Sequence, residues 1–148
     1  MKIKTILIAL MLGSCSSIDD PVHQSQRALN DCGPATAVML LRENGKKATL
    51  AEVNAATPLR GVWGYWNFSD LIEALATEQI KARKSPVKVT EQAGAYLVRS
   101  IFFNHWVMAK LNANGQVVVY DPMGKITRQS KESFLGRVQG DKYVEIVR

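Results

Sequence analysis

Histidine and cysteine are scarce, with two of each in 148 residues. That scarcity leaves no cluster of cysteine and histidine ligands for a metal, so neither a metal nor another cofactor is expected. No apolar run beyond residue 15 reaches the roughly 18–20 residues needed to span a membrane. Internal repeats and low-complexity stretches are absent. Positive charge is in excess without being clustered. Lys2 and Lys4 supply two of the +6 formal charges, leaving +4 spread along the remainder. Arg83, Lys84 and Lys88 form the densest basic stretch, without interleaved aromatics. Phosphate recognition requires a clustered basic footprint, so a solvated face is expected there and no nucleic-acid partner. Hydrophobic residues at 47 % and charged residues at 22 % are ordinary for a globular domain.

The chain opens on the pattern of an export signal. Lys2 and Lys4 form a positive start, and Ile6 to Leu12 a short apolar stretch. Leu12-Gly13-Ser14-Cys15 resembles a bacterial lipobox, in which the cysteine receives diacylglycerol. The expected organisation is a signal peptide over 1–14, a lipidated tether over 15–25 and one folded domain over 26–148. Ser16, rather than an aspartate, resembles an outer-membrane sorting signal. An exported, lipid-anchored protein is therefore expected, facing the periplasm if the cell is Gram-negative. The roughly 134 residues after the signal suffice for one core but not two. Acylation would consume the Cys15 thiol and prevent a Cys15–Cys32 disulfide. Cys32 is then an unpaired thiol outside the cytoplasm, where oxidation threatens it, and its presence points to chemistry.

Asp31 and Cys32 precede a helical run over 34–43, apolar nearly all round and closed by Gly45. Thr49 and Glu52 predict a capping box on a short helix over 50–56. Asn67 or Ser69 caps a third helix ending near Thr77. Strands follow over 95–103, 105–111 and 116–120, the last two flanking Asn112-Ala113-Asn114-Gly115, a hairpin signal. A short helix over 130–135 and a strand over 143–147 complete the chain. Helices first and antiparallel strands second give an α+β fold.

A thiolate at Cys32 would lie at the positive end of the buried helix. The dipole supplies at most about 2 kcal/mol. Lowering a free thiol from ~8.5 to a papain-like ~4 requires about 6 kcal/mol, so a neighbouring cation must supply the rest. His23 falls in the tether. His105 begins the first hairpin strand and Asp121 ends the second. If Leu111 faces Gln116, His105 stands level with Asp121-Pro122, and the carboxylate could orient the imidazole. Gln26, six residues before Cys32, carries a neutral amide suited to stabilising an oxyanion beside the Cys32 backbone N–H; Gln24 competes for that role.

QRALNDCGPATAVMLLRENG, from Gln26 to Gly45, resembles the first motif of the papain-like cysteine peptidases that remove double-glycine leader peptides from bacteriocin precursors (clan CA, family 39). NHWVMAKLNANGQVVVYDPMGK is similar to their second motif, in which His begins a strand and Asp-Pro ends the next. The resemblance covers about residues 24–147. It implies a papain-like fold, with a buried nucleophile helix packed on an antiparallel sheet. It also implies a peptidase with Cys32 as nucleophile, His105 as base, Asp121 as orienter and Gln26 as oxyanion donor. Trp63, Trp66, Gly33 and Trp106 are the expected substrate contacts, with Trp63 and Trp66 on a Gly- and aromatic-rich rim. The known members are cytoplasmic domains fused to a transporter, whereas this chain carries an export signal, which makes leader removal during transport an unsuited job. A peptide or isopeptide substrate is expected instead. Two alternatives stand beside it: hydrolysis of cell-wall peptides, and a catalytically inactive module that binds a partner peptide.

Overall fold

A computed structural model describes residues 20–57, 65–101 and 103–148. The expected signal peptide, Cys15 and Trp63 lie outside the described residues. Ten elements run in the order α1 (Cys32–Glu43), α2 (Leu50–Ala56), α3 (Phe68–Thr77), β1 (Ala82–Pro86), β2 (Gly94–Arg99), β3 (Asn104–Leu111), β4 (Val117–Asp121), β5 (Lys125–Gln129), α4 (Lys131–Arg137) and β6 (Lys142–Ile146). Among the described residues the strands form one antiparallel sheet of order β1-β6-β2-β3-β4-β5. The α+β arrangement is as expected.

α1 forms where the sequence is rich in Ala, Leu and Met, and it is buried from Cys32 to Leu41. Val38, Met39, Leu40 and Leu41 are fully buried. Each such side chain contributes roughly 1.5–3 kcal/mol of burial free energy. The helix stops at Gly45, whose φ of +78° suits glycine. There Lys46 N donates to Leu41 O at 2.9 Å and Gly45 N to Arg42 O at 3.0 Å, the paired bonds of a Schellman end. α2 carries the expected Thr49–Glu52 capping box, and α3 an equivalent box from Asn67 and Asp70.

Helices α1 and α3 cover one face of the sheet, where Trp106, Met108 and Val144 meet them. On the other face Tyr96, Val107, Ala109 and Tyr143 pack with Phe134 of α4. Tyr96 stacks on Tyr143 at 4.9 Å and meets Phe134 edge-on. The edge strands β1 and β5 were missing from the sequence reading. Both carry exposed cations, Arg83 and Lys84 on one and Lys125 and Arg128 on the other, which deters pairing with further chains. The basic stretch is the exposed face expected of it, on and just after an edge strand. Arg83 Nε and Lys88 Nζ pair with Glu145 at 2.8 and 3.2 Å, and Lys84 lies 4.6 Å over the Phe68 ring.

The β3–β4 hairpin differs by one residue from expectation. Leu111 pairs with Val117, not Gln116. Asn112 Oδ1 organises the longer loop by accepting from Asn114 N and Gln116 N. On that register His105 would stand level with Met123, and the recorded pairing of the two strands ends at Met108 and Tyr120.

Candidate active site

Cys32 is the first residue of α1, a free thiol only 1 % exposed. Asp31 holds the N-cap position but makes no side-chain cap. Its Oδ2 turns back to accept from Arg27 N at 3.3 Å and Ala28 N at 3.1 Å. Pro34 contributes no N–H to the first turn, and no acidic side chain neutralises it. The positive end of α1 is therefore left for a charge that develops on or beside the sulfur.

The shifted register puts Asp121 two residues from the position level with His105, on the same face and diagonal to it: His105 Nε2 and Asp121 Oδ1 are 2.6 Å apart. A carboxylate accepts, so Nε2 carries the proton and donates. Met123 N donates to the same oxygen at 2.8 Å. The other ring nitrogen, Nδ1, is buried without a hydrogen-bond partner, and Cys32 is near enough to raise the ring's proton affinity. Burial opposes protonation of His105. The Asp121 hydrogen bond, the Cys32 sulfur and the Asp121 charge together outweigh it and raise the imidazole to about 9. Burial likewise pushes the Asp121 carboxyl up. The His105 bond, the Met123 N–H and the His105 and Arg137 charges overcome that and hold it below the usual carboxylate value. The arrangement can thus take a proton from sulfur at Nδ1 and keep it as imidazolium in neutral solution.

Gln26 is fixed in the turn before Cys32. One proton of its Nε2 goes to Ala28 O at 2.9 Å, its backbone N donates to Pro122 O at 2.7 Å, and its Oε1 is buried without a partner. The second N–H of the amide remains available. Gln24 is tied to α1 instead: its Oε1 accepts from Arg42 Nη2 at 3.1 Å and its Nε2 donates to Ser25 O.

Three expected substrate contacts are corrected. Trp66, Gly33 and Trp106 are buried together, and Trp66 is not part of an exposed rim. A Cβ on Gly33 would lie 2.6 Å from Trp66 Cβ and 2.8 Å from its Cγ, so glycine is required there by the close approach of Trp66. Trp106 Nε1 donates to Trp66 O at 2.9 Å. Strand alternation separates Trp106, which joins the core beneath α1, from its neighbour His105. Phe103 and Tyr65 supply the aromatics near the site instead. The Phe103 ring meets His105 edge-on at 6.4 Å, and Tyr65 lies 6.4 Å beyond Phe103. Leu29 and Met123, 64 % and 56 % exposed, flank a groove of about 440 Å³ between Gln26 and the Pro122–Gly124 turn. Neither residue stood out in the sequence. The neighbours of Gln26 and Asp121 were the signal that could have found them.

The Peptidase C39 family matches the chain over residues 21–140. Among solved structures, the peptidase domain of Streptococcus ComA, a bifunctional ABC transporter of a quorum-sensing pathway, is similar with a TM-score of 0.66 at 19 % identity, covering 84 % of this chain and 96 % of that one. A double-glycine-motif protease from an AMS/PCAT transporter, in complex with the leader peptide, gives 0.65 at 20 % identity, with 82 % and 87 % covered. The N-terminal C39-like domain of a toxin-secretion ATP-binding protein from Vibrio parahaemolyticus gives 0.61 at 14 %, with 82 % and 99 % covered. No curated protein sequence matches. At these identities the likeness to solved structures concerns the fold, which is that of the papain-like peptidase domains.

Proposed function

Because the chain belongs to the Peptidase C39 family, a family of cysteine peptidases, we propose that it hydrolyses a peptide or isopeptide bond through Cys32, His105, Asp121 and Gln26. The observation that carries this is the His105 ring, with Nε2 tied to Asp121 at 2.6 Å and Nδ1 buried, unpartnered and beside Cys32. Nδ1 takes the thiol proton. The thiolate attacks the carbonyl carbon, and the oxyanion is held by the second N–H of Gln26 and the backbone N–H of Cys32. As the C–N bond breaks, the imidazolium protonates the leaving nitrogen. His105 then removes a proton from water, which attacks the thioester and restores the thiol. The leader peptide bound to the AMS/PCAT relative supports a peptide as substrate. The apolar walls at Leu29 and Met123 suit one as well.

Digestion of a peptide library by the chain from residue 16 onward should yield discrete cleavage sites by mass spectrometry. A library left intact by folded, reduced protein counts against a peptidase. Products cut after Gly-Gly would extend the relatives' specificity to this chain, and products from peptidoglycan fragments would place the substrate in the cell wall.

Export and lipidation complete the reading: the N-terminal signal and lipobox support an acyl anchor on Cys15, outside the cytoplasm and on the outer membrane where there is one. Cys15→Ser should move the protein from the membrane pellet to the soluble fraction, whereas an unchanged distribution would exclude this anchor.

A further inference from the structure

The described part of the expected tether is not a tether. Residues 20–25 lie against the end of β4 and the end of α1. His23 Nε2 bonds to the backbone carbonyl of Asp121 at 2.8 Å. A carbonyl only accepts, so this nitrogen carries a proton. Three residues on, Gln26 N donates to Pro122 O at 2.7 Å. The strap is gripped from behind by Arg42 in the last turn of α1. Its Nη1 donates to His23 O and its Nη2 to Gln24 Oε1, both at 3.1 Å, while its Nε reaches Ala48 O at 3.0 Å. Val22 packs against the core cluster beneath.

Asp121 shares its carbonyl between His23 and Gly124 N, which donates to it at 3.1 Å. It lies past the last recorded pair between β3 and β4, and its pairing is with Lys125 of β5. The next residue, Pro122, has no N–H to offer. The carboxylate must nevertheless stay 2.6 Å from an imidazole on β3. We propose that His23, held by Arg42, is a positioning residue for Asp121, and that residues 20–26 form part of the active-site framework. The relay runs from the nucleophile's own helix, through Arg42 and His23, to the residue that orients the base. It rests on the reading of Cys32, His105 and Asp121 given above.

The test follows the His105 ring directly and needs no substrate. The charges that act on that ring are Asp121 and Cys32, with Arg137 acting on Asp121; Asp20 and Arg42 neighbour His23 through the strap. In the full chain with ¹⁵N-labelled histidine, the wild-type ring should titrate at about 9. His23→Ala should lower that value measurably while amide dispersion stays native, and His23→Gln, which retains a donor, should restore it. With a cleaved peptide in hand, His23→Ala should reduce kcat about 3–10-fold with little change in KM, as expected for a displaced catalytic geometry. A ring titration unmoved in folded His23→Ala overturns the proposal, and so does failure of Gln to restore it. Should His23→Ala not fold, His23→Leu, of similar bulk without a donor, replaces it; unfolding of both assigns His23 a purely structural part and overturns the proposal too. Absence of peptide cleavage by the wild type bears on the proposed function alone, since the ring titration stands apart from it.

Discussion

Replacing Cys32 by alanine is expected to lower peptide hydrolysis on the order of 10⁴–10⁶-fold, in line with the loss of the nucleophile in other triad enzymes. What remains is the contribution of binding and the oxyanion donors, which act without a covalent intermediate. The fold should survive. The sulfur is one buried atom on a helix whose neighbours are Gly33, Pro34 and Ala35, and its removal leaves a void worth about 1 kcal/mol. Circular dichroism and a thermal midpoint check that point. Iodoacetamide labelling should disappear in the same variant of the chain from residue 16 onward, in which Cys32 is the one cysteine. Hydrolysis at the wild-type rate by Cys32→Ala would falsify the assignment.

The second large effect concerns Asp121. Asp121→Ala removes a hydrogen bond to a charged imidazolium, an interaction of about 1.5–3 kcal/mol, so kcat/KM should fall roughly 10–150-fold. Its pH profile should also change. The imidazole is raised from its ordinary 6.5 to about 9, so the imidazolium form persists below about 9 and is lost above it. Wild-type activity should therefore decline as pH rises through about 9. Without the Asp121 hydrogen bond and charge, burial is opposed by Cys32 alone, and the decline should move to lower pH. Asp121→Asn separates two contributions. Its carbonyl oxygen can still accept from His105 and Met123, so orientation survives while the negative charge is gone. An intermediate rate with a lowered basic limb is expected. A basic limb that stays near 9 in both variants would rule out Asp121 as the source of the shift.

Much of this architecture is legible residue by residue. The apolar run after Asp31-Cys32 forecasts the buried helix, because no solvent-facing stripe is left in it. Thr49 and Glu52 forecast α2 to the residue, since a capping box is a local hydrogen-bond pattern that tertiary context did not override. The edge strands were harder. Ala82–Pro86 and Lys125–Gln129 have little alternation, and the charges that protect an edge from unwanted pairing also conceal it as a strand. The hairpin signal located the turn but not its length, because Asn112 organises a longer loop with its side chain. His105 and Asp121 meet because the observed register, one residue from the expected one, places them on one face as a diagonal pair. Trp66 is hard to read for a different reason. An aromatic beside glycine looks like a recognition loop, and only the packing of Trp66 on Gly33 shows that it belongs to the core. His23 is not legible as a partner of Asp121, because nothing local connects it with a carbonyl 98 positions away.

That separation also governs when the molecule becomes competent. The strap beside the first described residues closes on the end of β4, while the nucleophile helix waits for β3, so the site depends on contacts between distant parts of the chain. Loops of this length close late and slowly compared with a helical turn. A chain emerging from its N-terminal end can form α1 early, yet His105 and Asp121 join it only when β3 and β4 have been added and drawn back onto the strap. On the roles proposed for Cys32, His105 and Asp121, the chain is therefore latent while it is extended, and its chemistry begins only where the whole domain closes.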